Sequence, residues 1–306
     1  MTATAPKATP ATHAAGDPAS GESGSEPEDS PPHTFQATPE IVEAVNAALV
    51  LRRPLLLTGR PGSGKSSLVE SVADELQLGK VLRWHVTSRS TLNDAIYRYD
   101  ALGRLHAENL QGTQTAIEDF LTLGPLGTAL LPRSYPRALL IDEIDKSDID
   151  LPNDLLNVFE RGEFEIPELT RVNQPVVRIR EDGSDTRVDI TNGRIRCQEF
   201  PFVVLTSNGE RDFPSAFLRR CIRLRMPDPS AEMLERIVSA HLGTEATEAA
   251  ENFIADFAER AQANKDQAID QLMNAIYLVT HNVSPDLESR ARITELVLKP
   301  LTTDTP

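Results

Sequence analysis

An α/β sandwich built on a parallel five-stranded sheet, with a small all-helical domain behind it, is the fold class that these 306 residues predict. Five short apolar runs carry the sheet: Pro54 to Thr58, Val81 to Val86, Ala138 to Asp142, Phe202 to Ser207 and Cys221 to Met226. The runs are read as continuous rather than alternating, as expected of strands covered by helices on both faces. After Met226 the period becomes helical, with apolar sets at Met233, Leu234, Ile237 and Val238, then Phe253, Ile254 and Phe257, then Ile269, Leu272, Met273 and Ile276. These patterns divide the chain into a tail over 1–33, an α/β domain over 34–228 and a helical domain over 229–306.

The tail holds six prolines and no Ile, Leu, Val or aromatic residue, so it has too little apolar surface to offset its ordering entropy and is expected to be disordered. Order is expected to begin near Thr38, which can cap a helix with Pro39 at its first position and Ile41, Val42, Val45, Ala48 and Leu49 on one face. Between the third and fourth apolar runs, Val176 to Arg180 and Arg187 to Ile190 flank Asp182-Gly183. Asn192-Gly193 then turns back into Arg194 to Cys197, which predicts a β-hairpin insertion over 176–198. Arginines 171, 178, 180, 187, 194 and 196 make this segment basic, but Glu181, Asp182, Asp185 and Asp189 interleave with them, as in a self-neutralising exposed ribbon.

With 31 Lys and Arg against 46 Asp and Glu, the net charge of −15 argues against a protein that coats duplex DNA, because such affinity comes from neutralising phosphates. No run approaches the roughly 18 apolar residues of a membrane helix, and the N-terminus has neither a secretory nor a transit profile, so a cytoplasmic location is expected. Two cysteines, Cys197 and Cys221, are too few for a disulfide framework and read as buried filler.

The densest chemistry lies in Gly59-Arg60-Pro61-Gly62-Ser63-Gly64-Lys65-Ser66-Ser67, a match to G-x-x-x-x-G-K-[ST] between an apolar strand and a helix marked by Leu68, Val69, Val72 and Leu76. Its glycines let backbone amides face phosphate, Lys65 reaches the terminal phosphates, and the Ser66 hydroxyl can ligate Mg²⁺. Seventy-seven residues beyond Lys65 the third run ends in Asp142-Glu143. At the carboxyl edge of a parallel sheet, Asp142 can hold the Mg²⁺ shell while Glu143 activates a water for γ-phosphate hydrolysis. Asn208 ends the fourth run and can position that water, or it can be a simple turn residue before Gly209. Arg219 and Arg220 stand just before the fifth run, where an arginine makes sense as a donor to a neighbouring subunit's γ-phosphate.

This combination resembles the AAA+ ATPases, and within them the MoxR-like clade. The resemblance covers about residues 34–280 and rests on GRPGSGKS at 59–66, LGPLGTALL at 123–131, LLIDEIDKSDIDLPNDLL at 139–156, LTSNGE at 205–210, the hairpin, and the arginines of FLRRC. It implies a Walker A loop, a Walker B pair at Asp142 and Glu143, a sensor 1 at Asn208 and an arginine finger at Arg220, with Arg219 second. It further implies ATP and Mg²⁺ as cofactors, a ring of subunits, usually a hexamer, and a helical lid over 229–306. Such proteins usually carry a sensor 2 arginine early in a lid helix, whereas Ala268 to Leu272 here has none; Arg290 or Arg292 is the substitute available in sequence.

The leading expectation is therefore a chaperone-like ATPase that remodels a partner protein, with von Willebrand factor A domain proteins as the partner class the resemblance suggests. Alternatives are a nucleic-acid-acting motor or restriction-type NTPase, and a slow nucleotide-gated switch. Tyr97 and Tyr99 stand as candidates either for gripping a polypeptide in a central pore or for local packing.

Overall fold

The computed structural model describes residues 35, 37–111, 115–227 and 230–242, with single positions at 247, 254, 255, 257, 258, 272, 274, 276 and 277. The expected tail over 1–33, most of the helical domain, and Arg290 and Arg292 lie outside the described residues.

Helix α1 (Pro39–Leu51) starts as expected: the Thr38 hydroxyl accepts the Ile41 amide at 3.4 Å, and Pro39 fills the first turn. Ile41, Val45 and Ala48 are buried, but Val42 is about half exposed, so the apolar stripe is narrower than the sequence suggested. Then come β1 (Leu55–Thr58), α2 (Lys65–Glu75), β2 (Leu82–His85), α3 (Leu92–Ile96), β3 (Tyr97–Tyr99), α4 (Ala101–Gln111), β4 (Leu121–Leu123) and α5 (Pro125–Ala129). They are followed by β5 (Ala138–Asp142), α6 (Leu151–Arg161), β6 (Glu163–Glu165), α7 (Pro167–Thr170), β7 (Val176–Arg180), β8 (Arg187–Thr191) and β9 (Arg194–Arg196). Strand β10 (Phe202–Ser207), the short α8 (Ser215–Leu218), β11 (Ile222–Arg225) and α9 (Ala231–Leu242) complete the series.

The five expected strands form one sheet, ordered β11-β1-β10-β5-β2 and parallel throughout. Alternate residues of the three inner strands enter opposite layers. Leu55, Leu57, Leu140, Val204 and Leu224 pack with α1 and α2, while Leu56, Leu139, Ile141, Val203 and Leu205 pack on the other side with α3, α5 and α6. This two-sided burial is why β1, β5 and β10 are continuous. The edge strands β2 and β11 depart from that expectation: Arg83 and His85 alternate with buried Leu82 and Trp84, and Arg223 and Arg225 flank buried Leu224, because an edge strand is covered on one face only.

A second sheet, ordered β3-β4-β7-β8-β9-β6, takes up the hairpin. β7 and β8 pair antiparallel over five residue pairs, and Asn192-Gly193 turns into β9 with both residues at positive φ. Gly193 is obligatory: a Cβ there would lie 2.9 Å from the Ile166 carbonyl oxygen. The hairpin is more than an exposed ribbon, because Val177, Ile179, Ile190 and Ile195 are buried in the main core. Its outer face is charge-paired, with acids both within the hairpin and outside it. Arg187 meets Asp119 at 2.9 Å and Arg194 meets Glu165 at 3.3 Å, while Arg178 meets Asp189 at 2.9 Å within it. Glu181 is instead buried against Arg133 at 2.7 Å.

Beyond β11, Leu234 and Val238 of α9 cluster with Ile254, Phe257, Leu272 and Ile276, two residues from each expected helical set. Both cysteines are free thiols. Cys221 is buried and its pKa is pushed up to about 12 by desolvation. Among the described residues no helix is long and apolar enough to cross a membrane.

Candidate nucleotide site

All five core strands point their carboxyl ends the same way, so the loops after β1, β5 and β10 meet on one edge. There Pro61 to Ser67, Asp142, Glu143, Thr206 and Asn208 line a cleft of about 350 Å³. Gly59 bonds its amide to the Ser207 carbonyl at 3.2 Å, and a Cβ there would come within 3.0 Å of the Met226 Cβ, so the loop closes tightly over β11. Gly64, at φ 81°, caps α2 with no side-chain hydrogen bond, which leaves the first amides of that helix facing the cleft without a side-chain acceptor.

Lys65 is 9% exposed and donates to the Gly59 and Arg60 carbonyls, both at 2.8 Å, and to Asn208 Oδ1 at 2.9 Å. Burial holds its ammonium pKa below the usual lysine value, while the carboxylates of Asp142, Asp145 and Glu143 work in the opposite direction. Asn208 spans the cleft, with Oδ1 on Lys65 and Nδ2 donating to Glu143 Oε1 at 3.5 Å. Glu143 has a left-handed backbone, φ 58° and ψ 47°, which turns the chain sharply off the end of β5. Its amide donates to Thr206 Oγ1 at 2.9 Å, and that hydroxyl in turn donates to Asp142 Oδ1. Its carboxylate meets Lys146 Nζ at 2.8 Å and His85 Nε2 at 3.4 Å.

Four of these groups escaped sequence reading. Asp145 is 4% exposed and its Oδ2 accepts the amides of Asn208 at 2.9 Å and Glu210 at 3.1 Å, which fixes the loop carrying Asn208. Thr206 ties both acids to β10, and Lys146 and His85 hold the Glu143 carboxylate. Their only signal was proximity: Asp145 and Lys146 follow Glu143 closely in sequence, and His85 ends the strand next to β5.

The donor set fits an anion with several oxygens. A buried ammonium rests on neutral acceptors, a helix N-terminus opens onto the cleft, and the buried Ser63 hydroxyl there has no partner. Among the described residues no group of three or more His, Cys, Asp or Glu could hold a metal. A divalent ion on Ser66 and Asp142 would thus take most of its oxygen ligands from phosphate and water, as Mg²⁺ commonly does.

Arg219 and Arg220 are elsewhere. They precede β11, whose first residue Ile222 lies beside Leu55, so they stand at the amino end of the sheet. Arg220 pairs with Glu160 and lines a separate cleft with Arg53, Arg161 and Phe200, while Arg219 accepts from Arg53 through its carbonyl at 3.4 Å. The pore reading of Tyr97 is corrected: it is 6% exposed, donates its hydroxyl to Glu168 Oε2 at 2.8 Å, and is ordered by β3 pairing with β4. Tyr99 packs partly buried on the same core, its hydroxyl accepting from Arg104 at 3.4 Å.

No curated protein matches the chain. The family model for an AAA domain of the dynein-related subfamily matches residues 54–221, more than half of the sequence, from the start of β1 to the residue before β11. With the phosphate loop, the paired acids and the parallel sheet all inside that span, the chain belongs to the AAA domain family, in its dynein-related subfamily.

Proposed function

We propose that the protein hydrolyses ATP with Mg²⁺ in a subunit ring and uses the turnover, as MoxR-like proteins do, to remodel a partner protein. The observation that carries the reading is the convergence of Lys65, Asp142, Glu143 and Asn208 on one cleft beside the phosphate loop. When bound, Mg²⁺ and ATP supply the γ-phosphoryl group and the cation that neutralises its oxygens. Lys65 and the loop amides hold phosphate, Ser66 and Asp142 hold the ion, and Glu143 and Asn208 orient a water and take up its proton at the Glu143 carboxylate. Arg220 completes the site from a neighbouring subunit, with Arg219 as the lesser contributor. A partner carrying a von Willebrand factor A domain is the class that the MoxR-like motifs at 123–131 and 139–156 favour.

Two variants test this assignment. Lys65→Ala should abolish binding of a fluorescent ATP analogue, because Lys65 meets phosphate in the ground state. Glu143→Gln should keep binding within about threefold and lose turnover by roughly 10² to 10⁴. Equal loss of affinity in both would remove Glu143 from its role.

A further inference from the structure

On the sheet face opposite α2, a second cleft of about 480 Å³ opens between β11 and the segment from Gly209 to Leu218, reaching Thr58 and Ser207 at the root of the phosphate loop. Arg211, Arg223 and Arg225 line it, with Asp212 the one acid among the described lining residues and Phe213 and Leu218 among its apolar walls. Arg211 is tethered to the Ser147 carbonyl. Arg223 and Arg225 are exposed and, among the described residues, their side chains make no hydrogen bond or ion pair. In a chain of net charge −15, such a basic cleft does not reflect an excess of cations.

β11 is also the outer strand of its sheet among the described residues. Ile222 donates its amide to the Pro54 carbonyl and Met226 to that of Thr58, both at 2.8 Å, so even-numbered positions bond inward to β1. The amides and carbonyls of Arg223 and Arg225 therefore face the open edge. The same two residues offer backbone pairing and guanidinium groups, two positions apart, roughly 6.5 to 7 Å along the strand. That spacing is also the repeat of alternate side chains in an extended chain.

We propose that β11 and this cleft dock an extended acidic polypeptide segment, its backbone pairing with the strand edge and its carboxylates at positions i and i+2 meeting Arg223 and Arg225. Arg favours carboxylate through paired N–H donors, and strand addition supplies affinity that is independent of side-chain identity. A free phosphate would use the guanidinium groups but not the edge amides. Peptide, rather than a small anion, is the ligand for which both sets of groups are matched.

The test uses the full-length protein and fluorescein-labelled ten-residue peptides read by anisotropy. An alternating Glu-Thr peptide should bind at least about tenfold more tightly than its Gln-Thr counterpart and than an equally charged peptide with its acids in adjacent pairs. This comparison needs no variant of the protein. Arg223→Gln with Arg225→Gln should lose the preference for the alternating peptide, whereas Arg178→Gln with Arg180→Gln on the hairpin should keep it. Equal binding of both acidic peptides, or displacement by inorganic phosphate at matched charge, would overturn the proposal. So would dissociation of an existing oligomer by the Arg223 and Arg225 changes without peptide, since a second copy would then occupy the edge.

Discussion

The two ends of the parallel sheet are lined by different chemistry, and we propose that they are complementary halves of a site shared between subunits. At the carboxyl end Lys65, Asp142, Glu143 and Asn208 are cross-linked by hydrogen bonds around one cleft, with no arginine among the described residues lining it. At the amino end Arg53, Arg161, Arg196 and Arg220 gather in another cleft, with Glu160 as its lining acid and no phosphate loop. The strands between them are four to six residues long at about 3.3 Å each, and Arg220 is held at its own end by Glu160. In the proposed ring, an arginine so placed would reach the γ-phosphate of a neighbouring copy, with a head-to-tail interface setting one end against the other.

The largest expected effect breaks that division of labour. Arg220→Ala should lower ATP turnover by roughly 10³ to 10⁵ while leaving affinity for a fluorescent ATP analogue nearly unchanged, and Arg219→Ala should cost less. A parallel fall in affinity and turnover would instead place Arg220 in its own subunit's pocket or in its folding.

A second change leaves both ends alone. Ile190→Ala removes a buried side chain of the hairpin and should cost about 2 to 5 kcal/mol in denaturant unfolding, with unchanged nucleotide affinity per folded molecule. A cost below about 0.5 kcal/mol would return the hairpin to the status of an exposed ribbon.

The smallest effect probes burial at the amino end. Cys221 is buried, and its pKa stands at about 12 against an ordinary 9.0. The folded form thus keeps its proton where the unfolded chain loses it, so this contribution to stability is complete below pH 9 and declines as pH rises toward 12. Cys221→Ala should flatten the stability profile by up to about 1.4 kcal/mol per pH unit above that onset. Identical slopes for both proteins between about pH 8 and pH 10 would mean that the thiol is solvated.

Legibility differed between the two sheets for a physical reason. The three inner strands bury alternate residues in two different layers, so their sequences are unbroken apolar runs, and all five expected strands agree with the observed ones to within one residue at each end. In the second sheet β3, β4, β6 and β9 are three residues each, too short to show any period, and β4 joins β7 through the single pair Thr122 and Arg180. Integration of the hairpin into the core was therefore invisible, although its turn was read from Asn192-Gly193. The site divides similarly. Lys65, Asp142 and Glu143 announce themselves by spacing, whereas Thr206 sits inside an apolar strand and Asp145 resembles one more surface acid. Only the crossing of β10 beside β5 makes them partners.

A site shared between subunits is tested most directly by mixing two inactive proteins. A Lys65→Ala subunit keeps its arginine and an Arg220→Ala subunit keeps its phosphate loop, so co-assembled samples should recover ATP hydrolysis, with a maximum at intermediate mixing ratios. Hydrolysis that stays at the level of the separate variants across all ratios, with mixed assembly verified by light scattering and differential labelling, would contradict a shared site.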